Sequence, residues 1–289
     1  MKIGWIGLGK MGLPMAQRLA AAGHTITAYG RNDDSARKAH AHGFAVARDL
    51  AGVAADAEIV VSAITDDPTL AEVTSGLAPH LQRGQIYIDT STVSPGASEA
   101  VAAIMAERGV LYLRAPVSGS TALAAAGTLT VLVSGPRDAY ERMAPILAAF
   151  SKKSFHVGEG EQARTLKLVL NTMIASTAAL VAEALALGRK GGLSAADTLA
   201  VISESAVASP VIGYKRAMIE EGIYEPAFSV AQMLKDLDIV LGVGRDTHVP
   251  MPLVAMIREQ FETSLVAGQG ERDFFVLVRD AARRAGLPD

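Results

Sequence analysis

The sequence predicts an α/β amino-terminal domain of the Rossmann type with a mostly parallel sheet, then a long helix, then an all-α carboxyl-terminal domain. First, short aliphatic runs alternate with segments of helical length as far as about residue 160, which is typical of a doubly wound domain. Second, these runs are continuously apolar, as strands are when both faces of a parallel sheet are covered. Third, residues 162–190 contain no proline and only Gly188 as a glycine, which predicts one long helix.

The beginnings and ends of these patterns set the predicted elements. The predicted strands are Lys2–Ile6, Thr25–Tyr29, Ile59–Ile64, Ile86–Asp89, Leu111–Leu113, Leu129–Ser134 and Ser154–His156. The predicted helices between them are Met11–Ala22, Asp33–His42, Ser94–Arg108 and Pro136–Phe150. From Leu193 onward, prolines and glycines divide the chain into shorter helices. The predicted domains are 1–161 for the α/β part, 162–192 for the connecting helix and 193–289 for the all-α part.

Composition excludes several classes of protein. Lys and Arg number 27 and Asp and Glu number 30, so a net charge of −3 lacks the basic excess of a nucleic-acid-binding protein. The chain has no cysteine, which excludes disulfides, thiolate catalysis and cysteine-based zinc sites. The six histidines are scattered and none pairs with carboxylates at metal-ligand spacing, so we predict no metal.

The chain is unusually apolar, with 50% hydrophobic residues and a mean hydropathy of +0.27. Residues 168–187 are nearly apolar over the length of a membrane-spanning helix, but they include Asn171, Thr172 and Glu183. We therefore predict a long buried helix and no membrane partner. The run Met1–Ile6 leads directly into glycines and lacks the longer apolar region of a secretory signal, so we expect a cytoplasmic protein.

A glycine-rich loop follows the first predicted strand and opens a helix, with the sequence Gly7-Leu8-Gly9-Lys10-Met11-Gly12. In this context Gly7 permits the tight turn, Gly9 lets the backbone approach a pyrophosphate, and Gly12 lets the helix pack closely on the strand. The phosphates would lie at the helix N-terminus, where free N–H groups and the dipole favour anions. We therefore predict that Gly7, Leu8, Gly9, Met11 and Gly12 bind a dinucleotide cofactor; a glycine turn without a ligand is the alternative.

The end of the second predicted strand bears on which dinucleotide binds. An NAD site usually has an Asp or Glu there to bind the ribose hydroxyls, whereas this chain has Arg31 and Asn32. A guanidinium offers a bidentate partner to a 2′-phosphate, so Arg31 and Asn32 favour NADP over NAD. In the alternative reading, Arg31 is a solvated loop cation and Asp33 or Asp34 takes the acidic role.

Two polar residues interrupt the long apolar helix. Lys167 and Asn171 are spaced i, i+4 and therefore share one face. Desolvation lowers the pKa of a lysine toward neutrality, which suits proton transfer to a carbonyl oxygen. From spacing alone, a lysine reaching toward solvent and a hydrogen-bonded core asparagine explain the pattern equally well.

Three further segments carry polar residues at positions suited to ligands. Asp89-Thr90-Ser91-Thr92 and Ala115-Pro116-Val117-Ser118-Gly119-Ser120 each follow a predicted strand, at the carboxyl end where open α/β sheets bind ligands. Hydroxyls and backbone N–H groups in such loops can hold a carboxylate. Lys235-Asp236, on a later helix, is the third candidate. An ordinary Ser/Gly turn is the alternative for each segment taken alone.

Taken together, these motifs resemble the β-hydroxyacid dehydrogenase family, which includes 3-hydroxyisobutyrate dehydrogenases and tartronate semialdehyde reductases. The resemblance covers essentially the whole chain. The ordered motifs that carry it are Gly7–Gly12 with Met15-Ala16, Asp89–Thr92, Ala115–Gly119, Lys167–Asn171 and Lys235–Leu237. They point strongly to the family and only weakly to any single substrate.

The resemblance implies a site and a reaction. Lys167 would be the acid that protonates the carbonyl oxygen while the nicotinamide delivers hydride to the adjacent carbon. Ser118 and Gly119 would bind the carboxylate of a small substrate, and Asn171 would hold Lys167 and the substrate in register. The resemblance thus implies an NADPH-dependent reductase of small carboxylated aldehydes or ketones, which runs in reverse as a 3-hydroxyacid dehydrogenase.

The resemblance also implies a wider setting. Thr92 and Lys235 match positions that the family uses around the cofactor, and the family's members are usually homodimers or homotetramers. The carboxyl-terminal domain would then serve substrate binding and oligomerisation. Two alternatives are an imine reductase, whose members generally have Asp or Tyr in place of Lys167, and a non-catalytic NADP-binding module, whose members lose that lysine.

Two residues depart from the family pattern at the substrate loop. Arg114 stands where the family commonly has Asp, and Ser120 stands where it has a second glycine. Ser120 adds a hydroxyl and bulk beside the expected carboxylate site, so we include it among the substrate-binding candidates. We expect Arg114 to face solvent. Both departures put a standard hydroxyisobutyrate or tartronate semialdehyde assignment in doubt.

Overall fold

A computed structural model describes residues 1–30 and 32–288 of the chain. The chain divides into an amino-terminal unit, Met1–Lys167, and a carboxyl-terminal unit, Leu168–Asp289. The boundary lies inside the segment predicted as the connecting helix. Arg31, a predicted cofactor-binding residue, lies outside the described residues.

The amino-terminal unit contains a six-stranded sheet in which every neighbouring pair is parallel. Its strand order is β3-β2-β1-β4-β5-β6, which is the order of a dinucleotide-binding fold. Its strands are β1 (Lys2–Ile6), β2 (Thr25–Tyr29), β3 (Ala45–Val46), β4 (Ile59–Ser62), β5 (Ile86–Asp89) and β6 (Leu111–Arg114). The predicted α/β fold class is confirmed, although β3, with only two residues, was not predicted.

Both faces of this sheet are covered, which explains the continuous apolar runs. Along β1, Ile3 and Trp5 belong to one hydrophobic cluster, whereas Ile6 belongs to the cluster on the other face. The covering helices are α1 (Gly12–Ala21), α2 (Asp33–Ala41), α3 (Leu50–Ala54), α4 (Asp67–Leu77), α5 (Pro95–Glu107), α6 (Thr121–Ala126) and α7 (Arg137–Ala148). Because Trp5 is fully buried and Ile3 and Ile6 are nearly so, this strand has no polar face for sequence alternation to reveal.

A second, three-stranded sheet follows in the same unit. Its strands are β7 (Val117–Ser118), β8 (Leu129–Val133) and β9 (Ser151–His156), in that order. Strand β7 is antiparallel to β8, and β8 is parallel to β9. Helix α6 lies between β7 and β8, in a segment for which no helix was predicted.

The long helix α8 (Gln162–Lys190) has the predicted bounds and begins in the amino-terminal unit. The rest of the carboxyl-terminal unit is helical, as expected. Its main helices are α9 (Ala195–Ser203), α10 (Pro210–Glu221), α11 (Val230–Asp246), α12 (Pro252–Ser264) and α13 (Leu277–Arg284). By length and composition α8 could cross a membrane, and 44% of its most apolar window is buried within the chain. The core helix of a soluble protein passes the same test.

Candidate active site

The predicted glycine loop lies where the order of the parallel strands reverses. Strand β1 has β2 on one side and β4 on the other, and the carboxyl ends of β1 and β4 flank the crevice in which such sheets bind ligands. Gly7 has a φ of +96° and donates its N–H to the Tyr29 carbonyl at 3.1 Å. A Cβ on Gly7 would stand 2.2 Å from the Ala63 carbonyl oxygen, so the turn after β1 requires glycine.

The other two glycines of the loop have different surroundings. A Cβ on Gly12 would lie 2.1 Å from the Gly7 carbonyl oxygen, which shows that helix α1 packs directly on the turn. A Cβ on Gly9 would meet no described atom within 4 Å, so this backbone faces open space. Among the described residues, no side chain caps the N-terminus of α1 and no acidic residue occupies its first turn. These features fit the pyrophosphate of a dinucleotide, which would fill the space beside Gly9.

The segment after β2 is described only from Asn32. Asn32 Oδ1 accepts hydrogen bonds from the backbone N–H and the hydroxyl of Ser35, both at 2.9 Å, and caps helix α2. Asp34 pairs with Lys38 at 2.5 Å and with Arg37 at 3.4 Å along the same helix. The hydrogen bond from Lys38 lowers the pKa of the Asp34 carboxyl. Asn32 thus has a structural role beside its predicted cofactor role, and Asp34 is engaged by cations of its own helix.

The loop after β5 is held by buried hydrogen bonds. Asp89 accepts from the hydroxyls of Ser62 and Ser91, each at 2.6 Å, and the Thr90 hydroxyl donates to the Ser62 carbonyl at 2.7 Å. The Ser91 hydroxyl in turn accepts from the Ile64 N–H at 2.9 Å. This loop, which carries the half-buried Thr92, is therefore fixed against the end of β4.

The predicted substrate loop begins on β7. Ser118 is half-buried and pairs in register with Thr130 of β8, and Gly119 is exposed with a φ of +140°. A Cβ on Gly119 would lie 2.7 Å from Leu129 Cδ2, so both space and backbone conformation favour glycine there. The Ser120 hydroxyl accepts from the Leu123 N–H at 3.4 Å and caps α6. Ser120 thus caps helix α6 in the structure, and its contact with the substrate remains a prediction.

Helix α8 carries the two residues predicted to act on the substrate. Lys167 is half-buried, and Asn171, one turn later, is only 3% exposed. In the carboxyl-terminal unit, Asn171 Nδ2 donates to Asp236 Oδ2 at 2.5 Å, and Lys235 Nζ lies 2.7 Å from Asp236 Oδ1. Asp236 was part of a sequence motif without an assigned role, and the structure shows that it orients the Asn171 amide.

Sequence reasoning was wrong about Arg114. Its side chain is buried rather than exposed to solvent: Nε donates to Glu161 Oε1 at 2.7 Å, and the guanidinium lies 4.8 Å from the centre of the Tyr112 ring. From the sequence, a cation at the end of a strand is expected to be exposed, because its partner Glu161 is 47 positions away and the sequence does not show that the two meet. Arg164 was missed for the same reason, because its buried partner Asp89 is 75 positions away.

The fold and the glycine loop define a dinucleotide-binding protein. A family model for the NAD binding domain of 6-phosphogluconate dehydrogenase matches residues 2–158. A second, for the NAD-binding part of NADP-dependent 3-hydroxyisobutyrate dehydrogenase, matches residues 161–280. The chain belongs to the β-hydroxyacid dehydrogenase family, and its members are NAD(P)-dependent hydroxyacid dehydrogenases.

Individual relatives match over nearly their whole length. A 2-(hydroxymethyl)glutarate dehydrogenase of Eubacterium barkeri is 32% identical over 99% of this chain and 97% of its own. The structure of a Mycobacterium tuberculosis 3-hydroxyisobutyrate dehydrogenase with L-serine superposes with a TM-score of 0.88 at 28% identity, covering 96% of this chain and 98% of the other. A structure titled Psf3 in complex with NADP+ and 2-OPP gives a TM-score of 0.88 at 25% identity, with 96% and 99% covered.

Proposed function

We propose that the protein is an NADPH-dependent reductase of small aldehydes or ketones that carry a carboxylate, and that it oxidises the corresponding 3-hydroxy acid in the reverse direction. The observation that carries the proposal is the face of α8 on which Lys167 and Asn171 lie one turn apart, with the Asn171 amide oriented by Asp236. The similarity to a 2-(hydroxymethyl)glutarate dehydrogenase and a 3-hydroxyisobutyrate dehydrogenase supports the same class of reaction.

Each residue has a defined part in this proposal. A bound nicotinamide supplies the hydride that reaches the carbonyl carbon. Lys167 Nζ donates a proton to the carbonyl oxygen during reduction and accepts it back during oxidation. Because Asn171 directs its Nδ2 to Asp236, its Oδ1 serves as the acceptor for the Lys167 ammonium or the substrate hydroxyl. The Ser118 hydroxyl and the Gly119 N–H bind the substrate carboxylate.

The preference for NADPH rests on the residues after β2. An acid available at that point would repel a 2′-phosphate, but Asp34 is paired with Lys38 and Arg37. Arg31 would then provide the guanidinium for the phosphate. We expect kcat/KM to be at least about tenfold higher with NADPH than with NADH, and Arg31→Ala to reduce that ratio, since one charge-assisted contact is worth about 1.5–3 kcal/mol. A preference for NADH would contradict this part of the proposal.

The acid role of Lys167 is tested by Lys167→Ala. We expect kcat for a three- or four-carbon semialdehyde to fall by about 10²- to 10⁴-fold, the contribution of a positioned acid, because the carbonyl oxygen loses its proton donor. The Kd for NADPH, measured by fluorescence, should change little. Lys190→Ala, an exposed lysine at the other end of the same helix, is the matched control. Turnover by Lys167→Ala at the parent rate would refute the assignment of Lys167 as the acid. A cyclic imine offered as substrate tests the alternative that the protein is an imine reductase.

A second copy of the chain is the proposed partner, in a homodimer or homotetramer in the cytoplasm. One face of α8 is apolar yet exposed, at Val169, Met173, Leu180 and Leu187, of which Leu187 is 76% exposed. The spacing i, i+4, i+11, i+18 aligns these side chains in one stripe. We expect light scattering to give two or four times the 30.1 kDa chain mass, and the pair Met173→Glu and Leu180→Glu to give monomers. A parent protein that is monomeric at micromolar concentration would contradict this assembly.

A further inference from the structure

A buried arginine, Arg164, lies in the first turn of α8 within the amino-terminal unit. Its side chain is 0% exposed, as is that of its ion-pair partner Asp89. Besides Asp89, its guanidinium donates to the Ser91 carbonyl at 2.6 Å, the Ser98 hydroxyl at 3.1 Å and the Tyr112 hydroxyl at 2.9 Å. We call Arg164 and these four partners the Arg164 network. It joins α8 to the end of β5, to β6, to α5 and to the loop that carries Thr92.

A second ion pair lies beside the first, and in it the positive charge is on the strand and the negative charge is next to α8. Asp89 of β5 and Arg114 of β6 are register partners at the edge of the sheet. Asp89 pairs with Arg164, and Arg114 pairs with Glu161, which precedes Arg164 by three residues. Glu161 precedes the first residue of α8, so its pair with Arg114 holds only the segment before the helix. Arg164 lies within the first turn, and an α8 turned by one residue would take it away from Asp89, so the Arg164 pair fixes the rotation of the helix about its axis.

The Arg164 network lies on the same face of α8 as the proposed acid. Arg164, Lys167 and Asn171 are spaced i, i+3, i+7, so they fall within one stripe of the helix. Arg164 is hydrogen-bonded to a buried carboxylate in the amino-terminal unit, and Asn171 is hydrogen-bonded to the buried Asp236 in the carboxyl-terminal unit. Lys167 therefore lies between two residues whose side chains are fixed by buried carboxylates.

We infer that Arg164 is a positioning residue, which acts through Lys167 by setting the place of that ammonium relative to the loop after β5. This rests on the proposed role of Lys167 as the acid. Arg164 belongs to α8 and its guanidinium donates to the Ser91 carbonyl, so this hydrogen bond couples the position of the helix to that of the loop after β5. Arginine suits this task because its planar fork donates in several fixed directions, whereas a lysine ammonium is a point charge on a flexible stem.

Stability alone gives a weak reason for such a pair in a core. Replacing a buried ion pair by apolar or neutral groups of similar volume is often neutral or stabilising, because the desolvation of both charges is avoided. What the pair supplies instead is a unique arrangement of the elements that it joins. Removing both charges together is therefore the appropriate perturbation, since it leaves no unpaired buried charge.

The test compares two charge-removing pairs at the same edge of the sheet. Arg164→Met with Asp89→Asn removes the hydrogen bond to the Ser91 carbonyl. Arg114→Met with Glu161→Gln is the matched control, because it removes a second ion pair from the same edge of the sheet while leaving the Arg164 network in place. We expect the first pair to lower kcat by about 10- to 100-fold, as a displacement of about 1 Å does, with the Kd for NADPH changed by less than about threefold. Arg164→Lys should recover part of the loss, and the control should keep the parent kcat.

A second measurement needs no turnover. Amide hydrogen exchange should become faster in residues 90–94 and 162–168 of the Arg164 pair, and stay as in the parent in 90–94 of the control. Unchanged exchange in both segments, or an equal loss of kcat in the two pairs, would overturn the inference. If Lys167→Ala keeps its activity while the Arg164 pair shows faster exchange and a lower kcat, the proposed acid fails and so does the action of Arg164 through it. If only Lys167→Ala loses activity, the acid stands and the positioning role is refuted.

Discussion

Replacing Gly9 by alanine should abolish most cofactor binding while leaving the fold intact. A Cβ at Gly9 meets no described atom within 4 Å, and the φ of Gly9 lies outside the positive range that disfavours side chains. The methyl group would therefore occupy only the space in which we expect the pyrophosphate. Because alanine restricts the unfolded chain more than glycine does, stability should be unchanged or higher by a few tenths of a kcal/mol up to about 1 kcal/mol.

The expected loss of affinity follows from the contact that the methyl group blocks. A hydrogen bond between a backbone N–H and a charged phosphate is worth about 1.5–3 kcal/mol. Since about 1.4 kcal/mol corresponds to a factor of ten, the Kd for NADPH should rise by about 10- to 150-fold. Fluorescence titration of NADPH measures this Kd, and a thermal melt of the protein without added cofactor measures stability.

Gly12→Ala is the matched control. The same substitution three residues later should lower the stability of the fold, whereas Gly9→Ala should leave it unchanged or raise it. Its Cβ would lie 2.1 Å from the Gly7 carbonyl oxygen and 3.1 Å from Ala63 Cβ, so strand and helix must separate. Such overpacking costs about 1–3 kcal/mol, and at about 2–4 °C per kcal/mol we expect Tm to fall by about 2–12 °C.

Two results would refute the reasoning. If Gly9→Ala bound NADPH as tightly as the parent, the pyrophosphate would not lie against this loop, and the assignment of the crevice between β1 and β4 would fail. If Gly9→Ala instead lowered Tm as much as Gly12→Ala, the open space beside Gly9 would not be a property of the folded protein.

The remaining predictions concern the substrate loop and the buried tyrosine of the Arg164 network. Ser118→Ala should raise KM for the carboxylated substrate by about tenfold or more without lowering Tm, because a charge-assisted hydrogen bond is lost; an unchanged KM in steady-state assays would contradict it. Ser120→Ala should cost about 1 kcal/mol of unfolding free energy, because it removes the cap of α6, and urea titration measures this. Burial raises the pKa of Tyr112 from 10.0 to about 12, so its contribution to stability is present below pH 10 and is lost as the pH rises through 12. These two pKa units correspond to about 3 kcal/mol, and Tyr112→Phe should make unfolding free energy, followed by circular dichroism, less dependent on pH over that range.

The sequence was sufficient where local pattern decides the structure. Strand β1 and helix α8 have the predicted bounds because aliphatic runs and a segment free of breakers mark their ends. Strand β7 could not be predicted from pattern, since two residues, Val117 and Ser118, are too few to show a period. Helix α6 was missed because its six residues lie in a run that also suits a loop.

Site residues were predictable where a motif has a local cause. Gly7 is required by the positive φ of the turn and Gly12 by its close approach to the Gly7 carbonyl, and the spacing of the glycines already expresses both local demands. Arg164 and Arg114 could not be interpreted in this way, because a charge in an amphipathic helix or at a strand end is usually solvated. Their roles depend on Asp89 and Glu161, which only the folded chain places beside them.

Helix α8 adds to the apolar composition of the chain because it is apolar on two opposite sides for different reasons. On one side, Ala175, Ala178 and Ala182 are fully buried, since small side chains allow other helices to approach closely. On the other side, Met173 and Leu180 are 63% and 65% exposed, so no helix within the described part of the chain covers this stripe along α8. A polar residue at either of these positions would be the ordinary solution for a monomer. That apolar residues stand there instead supports the proposal that a second copy covers this stripe, on the face opposite to the one that carries Arg164, Lys167 and Asn171.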